Sequence, residues 1–211
     1  MTIFTADADR LVRALDTTQA FAGDDTTIPV LRCIRLERHG RYLLAAATNR
    51  FQIGCTRIEV DWADDAPVDW THLLVRDDIA LIVANYKGKN SRMRKITASA
   101  AATGGLTLSC TGSPVALTTE HQDVQFPNWR PLLAPTLEAD EGGPAGLLDL
   151  AMLKTFDKAR WSTSDHLRIK YAGRTDRLAL VLCGHHFVGA QMPIREPDGQ
   201  GEWAEILGGA E

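Results

Sequence analysis

The sequence of 211 residues has no cluster of cysteines, no excess of positive charge and no long apolar run. Cys33, Cys55, Cys110 and Cys183 lie far apart. That spacing suits neither a zinc site nor the disulfide framework of a small secreted domain. Each sits in a strand-like run, so four buried free thiols are expected. No stretch approaches the roughly 18 apolar residues of a membrane span, and the opening residues mix charge with apolar side chains rather than forming a secretory leader. A cytoplasmic protein is the expectation. The net charge of −4 excludes a general attraction to nucleic acid; contact would need basic residues gathered on one face. No glycine-rich phosphate loop opens a helix, since Gly142-Gly143 and Gly208-Gly209 lack a following Lys-Ser or Lys-Thr. His185 and His186 are adjacent, and in a strand they would point to opposite faces. Cys183 stands near them without an acid to orient a base, and Asp77-Asp78 reads as a helix start. No catalytic residue, metal ligand or cofactor is expected, and the chain is read as a non-enzyme.

What the sequence does contain is a repeat. A short apolar strand, a turn-forming residue and a helix with basic residues occur three times. The copies begin at Ile3-Phe4-Thr5-Ala6-Asp7, at Leu73-Leu74-Val75-Arg76-Asp77 and at Leu147-Leu148-Asp149-Leu150-Ala151. Three strand-like runs follow each helix, so the unit reads β-α-β-β-β. The fold class is therefore α+β.

The first helix is expected over residues 7–19, with Asp7 as N-cap and Leu11, Val12, Ala14 and Leu15 inward. Strands follow at 31–37, 42–48 and 51–60, the last alternating as in a sheet with one wet face. The second helix is expected over 78–86, with Ile79, Leu81, Ile82 and Val83 inward and an end near Gly88, followed by strands at 96–100, 106–110 and 115–119. The third helix is expected over 151–160, with strands at 166–171, 177–182 and 187–193. The domain reading is a first domain of two units at 1–130, a Pro-, Gly- and acid-rich linker at 131–146, a third unit at 147–196 and a mobile tail at 197–211.

Four short passages in this order resemble the bacterial replicative sliding clamp, the β subunit of DNA polymerase III. Thr27-Ile28-Pro29-Val30-Leu31 is similar to the family's T-x-P-[IV]-L. Ala46-Ala47-Thr48-Asn49-Arg50-Phe51 is similar to its T-A-T-D turn, with Asn49-Arg50 in place of the usual acidic pair. Phe126-Pro127-Asn128-Trp129 resembles its F-P-D-[YW] junction, and Gln191-Met192-Pro193-Ile194-Arg195 its M-P-[MVI]-R ending. The resemblance implies a DNA-clamp fold of repeated β-α-β-β-β units, with sheets outside and helices inside. The family has six units per chain and this sequence has three, so a closed ring of twelve would need four chains; alternatively the third unit pairs with its counterpart in a second chain.

The implied activity is that of a processivity factor, a homo-oligomer that holds duplex DNA without reading sequence and tethers a polymerase. DNA would be met by Arg10, Arg13, Lys87, Lys89, Arg92, Lys154, Lys158 and Arg160, which lie on or just after the three helices. Acidic residues instead crowd loops, among them Asp61, Asp64, Asp65, Glu138, Asp140 and Glu141. A peptide groove for polymerase or clamp-loader segments would take in Val188, Met192, Pro193 and Arg195. The alternative is a clamp relative that forms no ring and regulates replication or transcription through protein contacts. In the tail, Gln200, Trp203, Ile206 and Leu207 have the spacing of a groove-docking peptide. Phe126 and Trp129 are expected to be buried between the first domain and the third unit.

Overall fold

The computed structural model describes residues 1–88, 93–139, 147–171 and 178–194. In the first unit, β1 (Thr2–Asp7) leads into α1 (Ala8–Gln19). A 3-10 turn at Pro29–Arg32 precedes β2 (Cys33–His39), β3 (Tyr42–Thr48) and β4 (Gln52–Glu59), and the short β5 (Asp61–Trp62) follows. The second unit is β6 (Thr71–Val75), α2 (Arg76–Tyr86), β7 (Lys95–Ala100), β8 (Leu106–Cys110) and β9 (Ala116–Thr119). After α3 (Arg130–Glu138), the third unit has α4 (Leu150–Leu153), a continuing 3-10 segment Lys154–Ala159, β10 (Leu167–Lys170), β11 (Ala179–Cys183) and β12 (Phe187–Gln191).

The first two units exchange their opening strands. β1 pairs with β7 of the second unit, and β6 pairs with β2 of the first. The exchange gives two antiparallel sheets, in the orders β5-β1-β7-β8-β9 and β10-β11-β12-β4-β3-β2-β6. The third unit is thus a continuation of the first unit's sheet, joined where β12 runs antiparallel to β4.

That join is built on two glycines. Gly54 and Gly189 face each other across the β4–β12 pair. A Cβ on Gly54 would lie 2.3 Å from the Phe21 ring, and one on Gly189 would lie 2.9 Å from both the Phe156 and the Phe187 ring. Phe21 and Phe156 pack with ring centroids 5.1 Å apart. The absent side chains let three aromatic rings lie directly on the sheet, where they bury large apolar areas.

Alternation along the strands separates two apolar clusters. Leu43, Ala45 and Ala47 of β3 face α1 and the main core, which also takes in Ile79, Ile82 and Tyr86 of α2 and Phe156 of the third unit. Leu44 and Ala46 point to the opposite face, with Cys55, Leu180 and Ala190. Phe126, Trp129 and Leu133 cover this second face. Phe126 and Trp129 are 6% and 7% exposed, in one apolar cluster with residues of the first and the third unit, as the junction reading expects.

The structure departs from the sequence reading in three places. Residues 131–138, read as the start of the linker, belong to α3, which lies across the outer face of the seven-stranded sheet. Pro131 falls in the first turn, where no amide donor is needed, and Pro135 removes one internal bond; burial of Trp129 and Leu133 offsets that loss. Glu37, 3% exposed and paired on its own strand with Arg35 at 2.9 Å, anchors the start of this strap through Arg130 at 2.5 Å. Asp7 makes no side-chain cap bond; its carboxylate is held instead by Lys95 at 2.7 Å, with Arg10 at 3.8 Å. The true carboxylate cap is Asp149, which accepts from the Met152 N–H at 3.0 Å. The third helix is α-helical for only one turn before tightening to 3-10 geometry. Residues 140–146 of the expected linker, Lys89, Arg92, Arg195 and the tail at 197–211 lie outside the described residues.

Candidate functional site

The two long helices and the third unit's helical turn all pack against the main core. α1 lies at the centre, in contact with α2 and with the 3-10 segment. Several bonds fix it to the third unit. Thr17 Oγ1 donates to the Lys158 carbonyl at 3.0 Å, Trp161 Nε1 donates to Thr17 Oγ1 at 3.0 Å, and an Arg13 N–H donates to the Trp161 carbonyl at 2.9 Å.

This helix side carries the six described members of the basic set. Arg10, Lys87, Lys154, Lys158 and Arg160 are exposed, and Arg13 is half-buried against the Trp161 ring. Acids accompany half of them: Arg10 meets Asp7, Lys87 reaches Asp16 at 3.1 Å, and Arg160 reaches Asp157 at 3.3 Å. Exposed pairs of this kind are worth little to stability, but each acid lowers the local positive potential. The fully exposed residues of α2, Asp77, Ala80, Leu81, Ala84 and Asn85, include no base; Leu81, expected inward, is 54% exposed, and Arg76 in the first turn is half-buried and paired with Asp24.

Beside the basic set is an open cleft of about 760 Å³, lined by Arg10, Arg13, Tyr42, Arg57, His185 and Trp161 among others. Arg57 was not singled out from sequence, and His185 was weighed there only together with His186. The Arg57 guanidinium lies 5.1 Å over the Tyr42 ring and donates to the His185 carbonyl at 2.5 Å.

Of the four residues named for a peptide groove, all but Arg195 are described. Val188 packs on the outer-face cluster beneath the strap. Met192 lies beyond the end of β12, 47% exposed, and its amide donates to the Phe51 carbonyl at 2.8 Å. Phe51 and Ile194 are also exposed there, at 53% and 46%, so Met192 and half-buried Pro193 belong to a small apolar edge.

All four cysteines are buried and free. Burial raises the Cys55 thiol to about 12 and also raises Cys183, so neither is a poised nucleophile. Cys183 nevertheless belongs to a group that the sequence reading missed. Ligand atoms of Asp165, Cys183 and His186 lie within 4.8 Å of one another. His186 is in the turn after β11, stacked on Trp161 at 4.0 Å, and its Nε2 is bonded to the Ala159 carbonyl at 2.8 Å. One Asp165 oxygen accepts the Trp161 and Ser162 amides, which, led by Ser162, hold the carboxyl below its ordinary range. The hydrogen bonds account for one Asp165 oxygen and one imidazole nitrogen as parts of a folded turn. Cys183-x-x-His186 was the signal available in the sequence.

A second cleft of about 470 Å³ lies beside the start of the strap, lined by His72, His121, Phe126, Trp129 and Arg130 among others. Its floor includes the buried His72, whose Nε2 is 3.2 Å from Thr119 Oγ1.

No protein-family model matches the sequence. Solved structures do match. The DNA polymerase III subunit beta of Pseudomonas aeruginosa superposes with a TM-score of 0.73 at 12% identity, over 92% of this chain and 67% of that one. The beta subunit of Thermotoga maritima gives 0.73 at 12% over 93% and 66%, and the Bacillus subtilis DNA polymerase sliding clamp gives 0.71 at 12% over 93% and 65%. This is the sliding-clamp fold. The chain spans about two thirds of the length of these clamps. α3 lies on the face of the seven-stranded sheet opposite the main core. Among the described residues, no helix is long and apolar enough to cross a membrane.

Proposed function

We propose that this chain is a clamp-type scaffold that holds duplex DNA without reading its sequence and tethers a polymerase. The observation that carries the reading is the set of basic residues on or just after the helices of a net acidic protein, Arg10, Arg13, Lys87, Lys154, Lys158 and Arg160, of which Arg13, Lys158 and Arg160 line one cleft. Such a set meets phosphates and not base edges. Lys89 and Arg92, which follow α2 in sequence, extend the proposed set. The tethering half of the reading places a polymerase or clamp-loader peptide on the apolar edge of Met192 and Pro193, beside Phe51 and Ile194, with Arg195 following in sequence.

Binding measured against salt tests it. Each phosphate contact contributes about 0.9 to the slope of log affinity against log salt. Replacing Arg10, Lys87, Lys154 and Lys158 with Ala should remove retention on circular duplex DNA at about 50 mM salt and leave the circular-dichroism spectrum unchanged. Equal retention by that variant would overturn the DNA-facing assignment. A second reading, a clamp relative that works through protein contacts alone, is favoured by one observation: the exposed Ala80, Leu81 and Ala84 on α2, without a base among them. It predicts no salt-dependent DNA binding by the unaltered chain.

A further inference from the structure

The chain's own symmetry identifies a place for one more strand. Facing Gly54 and Gly189 mark the centre of a sheet whose halves correspond: β4 with β12, β3 with β11, and β2 with β10. On one side, Cys55 lies opposite Ala46, Ala46 opposite Arg35, and Arg35 opposite Leu73 of β6. On the other, Ala190 lies opposite Leu180, and Leu180 opposite Lys170 of β10. Nothing corresponding to β6 lies beside β10 among the described residues.

Both sheets show what fills that place elsewhere. It is the opening strand of a mating unit: β6 beside β2, and β1 beside β7. The register is the same in both. The residue two before the helix lies opposite an isoleucine, Leu74 with Ile34 and Ala6 with Ile96. All four are at most 2% exposed. The corresponding residues of the third unit are Leu148 and Ile169, and both are only half-buried. One position on, Asp7 lies opposite Lys95 and bonds to it at 2.7 Å. The third-unit residues at these positions are Asp149 and Arg168.

The opening segment of the third unit is already placed to serve. One edge of β1 pairs with the extension of its own unit, Thr5 opposite Asp61, and its other edge pairs with the mate. In the third unit, Leu147 likewise pairs with Ile194, the extension of β12. A single chain cannot bring its own Leu148 to Ile169, because β11 and β12 intervene in the sheet and strands are spaced about 4.8 Å apart.

We propose that two copies of this chain join through their third units into one intermolecular domain. Residues 147–149 of each copy pair antiparallel with β10 of the other, Leu148 opposite Ile169 and Asp149 opposite Arg168. The contact is two-fold symmetric and self-complementary in shape and charge. It rests on the fold and not on the DNA reading, and it is measured without DNA.

The full chain should have the mass of a dimer by light scattering at micromolar concentration. Arg168→Glu, an exposed substitution, should raise the dimer Kd at least tenfold. Two single variants, Leu148→Cys and Ile169→Cys, should form a disulfide-linked dimer when mixed with a mild thiol oxidant. Neither should do so alone, because only directly opposite residues have the required Cα separation. A monomer at all concentrations would overturn the proposal, whether residues beyond 194 fill the edge or nothing does. So would crosslinking of either variant by itself.

Discussion

His72 is a residue whose ionisation the fold resists. Burial, and then the nearby His121, lower its pKa from 6.5 to about 4. As pH falls, the unfolded chain takes up the proton first. The stability that comes from keeping this imidazole neutral is therefore complete above about pH 6.5 and is lost as pH falls toward 4. The loss should be about 3 kcal/mol between those limits. His186 is shifted in the same direction, chiefly by burial, and adds to the trend. Urea unfolding at pH 7 and pH 4.5 measures the difference, and His72→Gln should flatten it. A variant as acid-sensitive as the parent would assign the effect elsewhere.

Among the elements, α3 shows how a weak helix is held by what it covers. Two prolines in nine residues make it a poor helix in isolation, which is why its sequence reads as a linker. Its stability comes from Trp129 and Leu133 on the outer cluster and from Arg130 on buried Glu37. Trp129→Ala should cost about 3 kcal/mol in chemical unfolding. A loss within experimental error would mean that the strap contributes nothing to holding the third unit. The repeat itself was legible, because strand-helix-strand periodicity is written locally in each unit. The helix-side position of the basic residues was legible for the same reason. One of their acid partners was not: Asp16 meets Lys87 across 71 positions of sequence. Nor was the join of β12 to β4, since no local pattern distinguishes strands that pair from strands that do not. Gly54 and Gly189 carried the only trace of it, and in sequence they look like ordinary strand glycines.

For the whole molecule, the seam between the first and third units is the feature that decides its shape. It consists of five facing residue pairs of β4 and β12 and the aromatic group of Phe21, Phe156 and Phe187 beneath them. A contact of this kind has the parts of an interface between separate chains, yet both sides belong to one. A protease site placed within residues 140–146 should therefore yield two fragments that stay together after cutting. Size-exclusion chromatography of the cut protein under native conditions checks this. Immediate separation at micromolar concentration would show that the seam cannot hold without the chain.

The strap that crosses this seam also changes how it breaks. Two partners held only by an interface part at a rate set by their contacts and re-form at a rate set by dilution. Here a released third unit remains on a short tether, at an effective concentration in the millimolar range. It should re-close after each opening regardless of how dilute the protein is. Any lasting opening of an assembly built from these chains would then occur at its intermolecular contacts, leaving the β4–β12 seam shut.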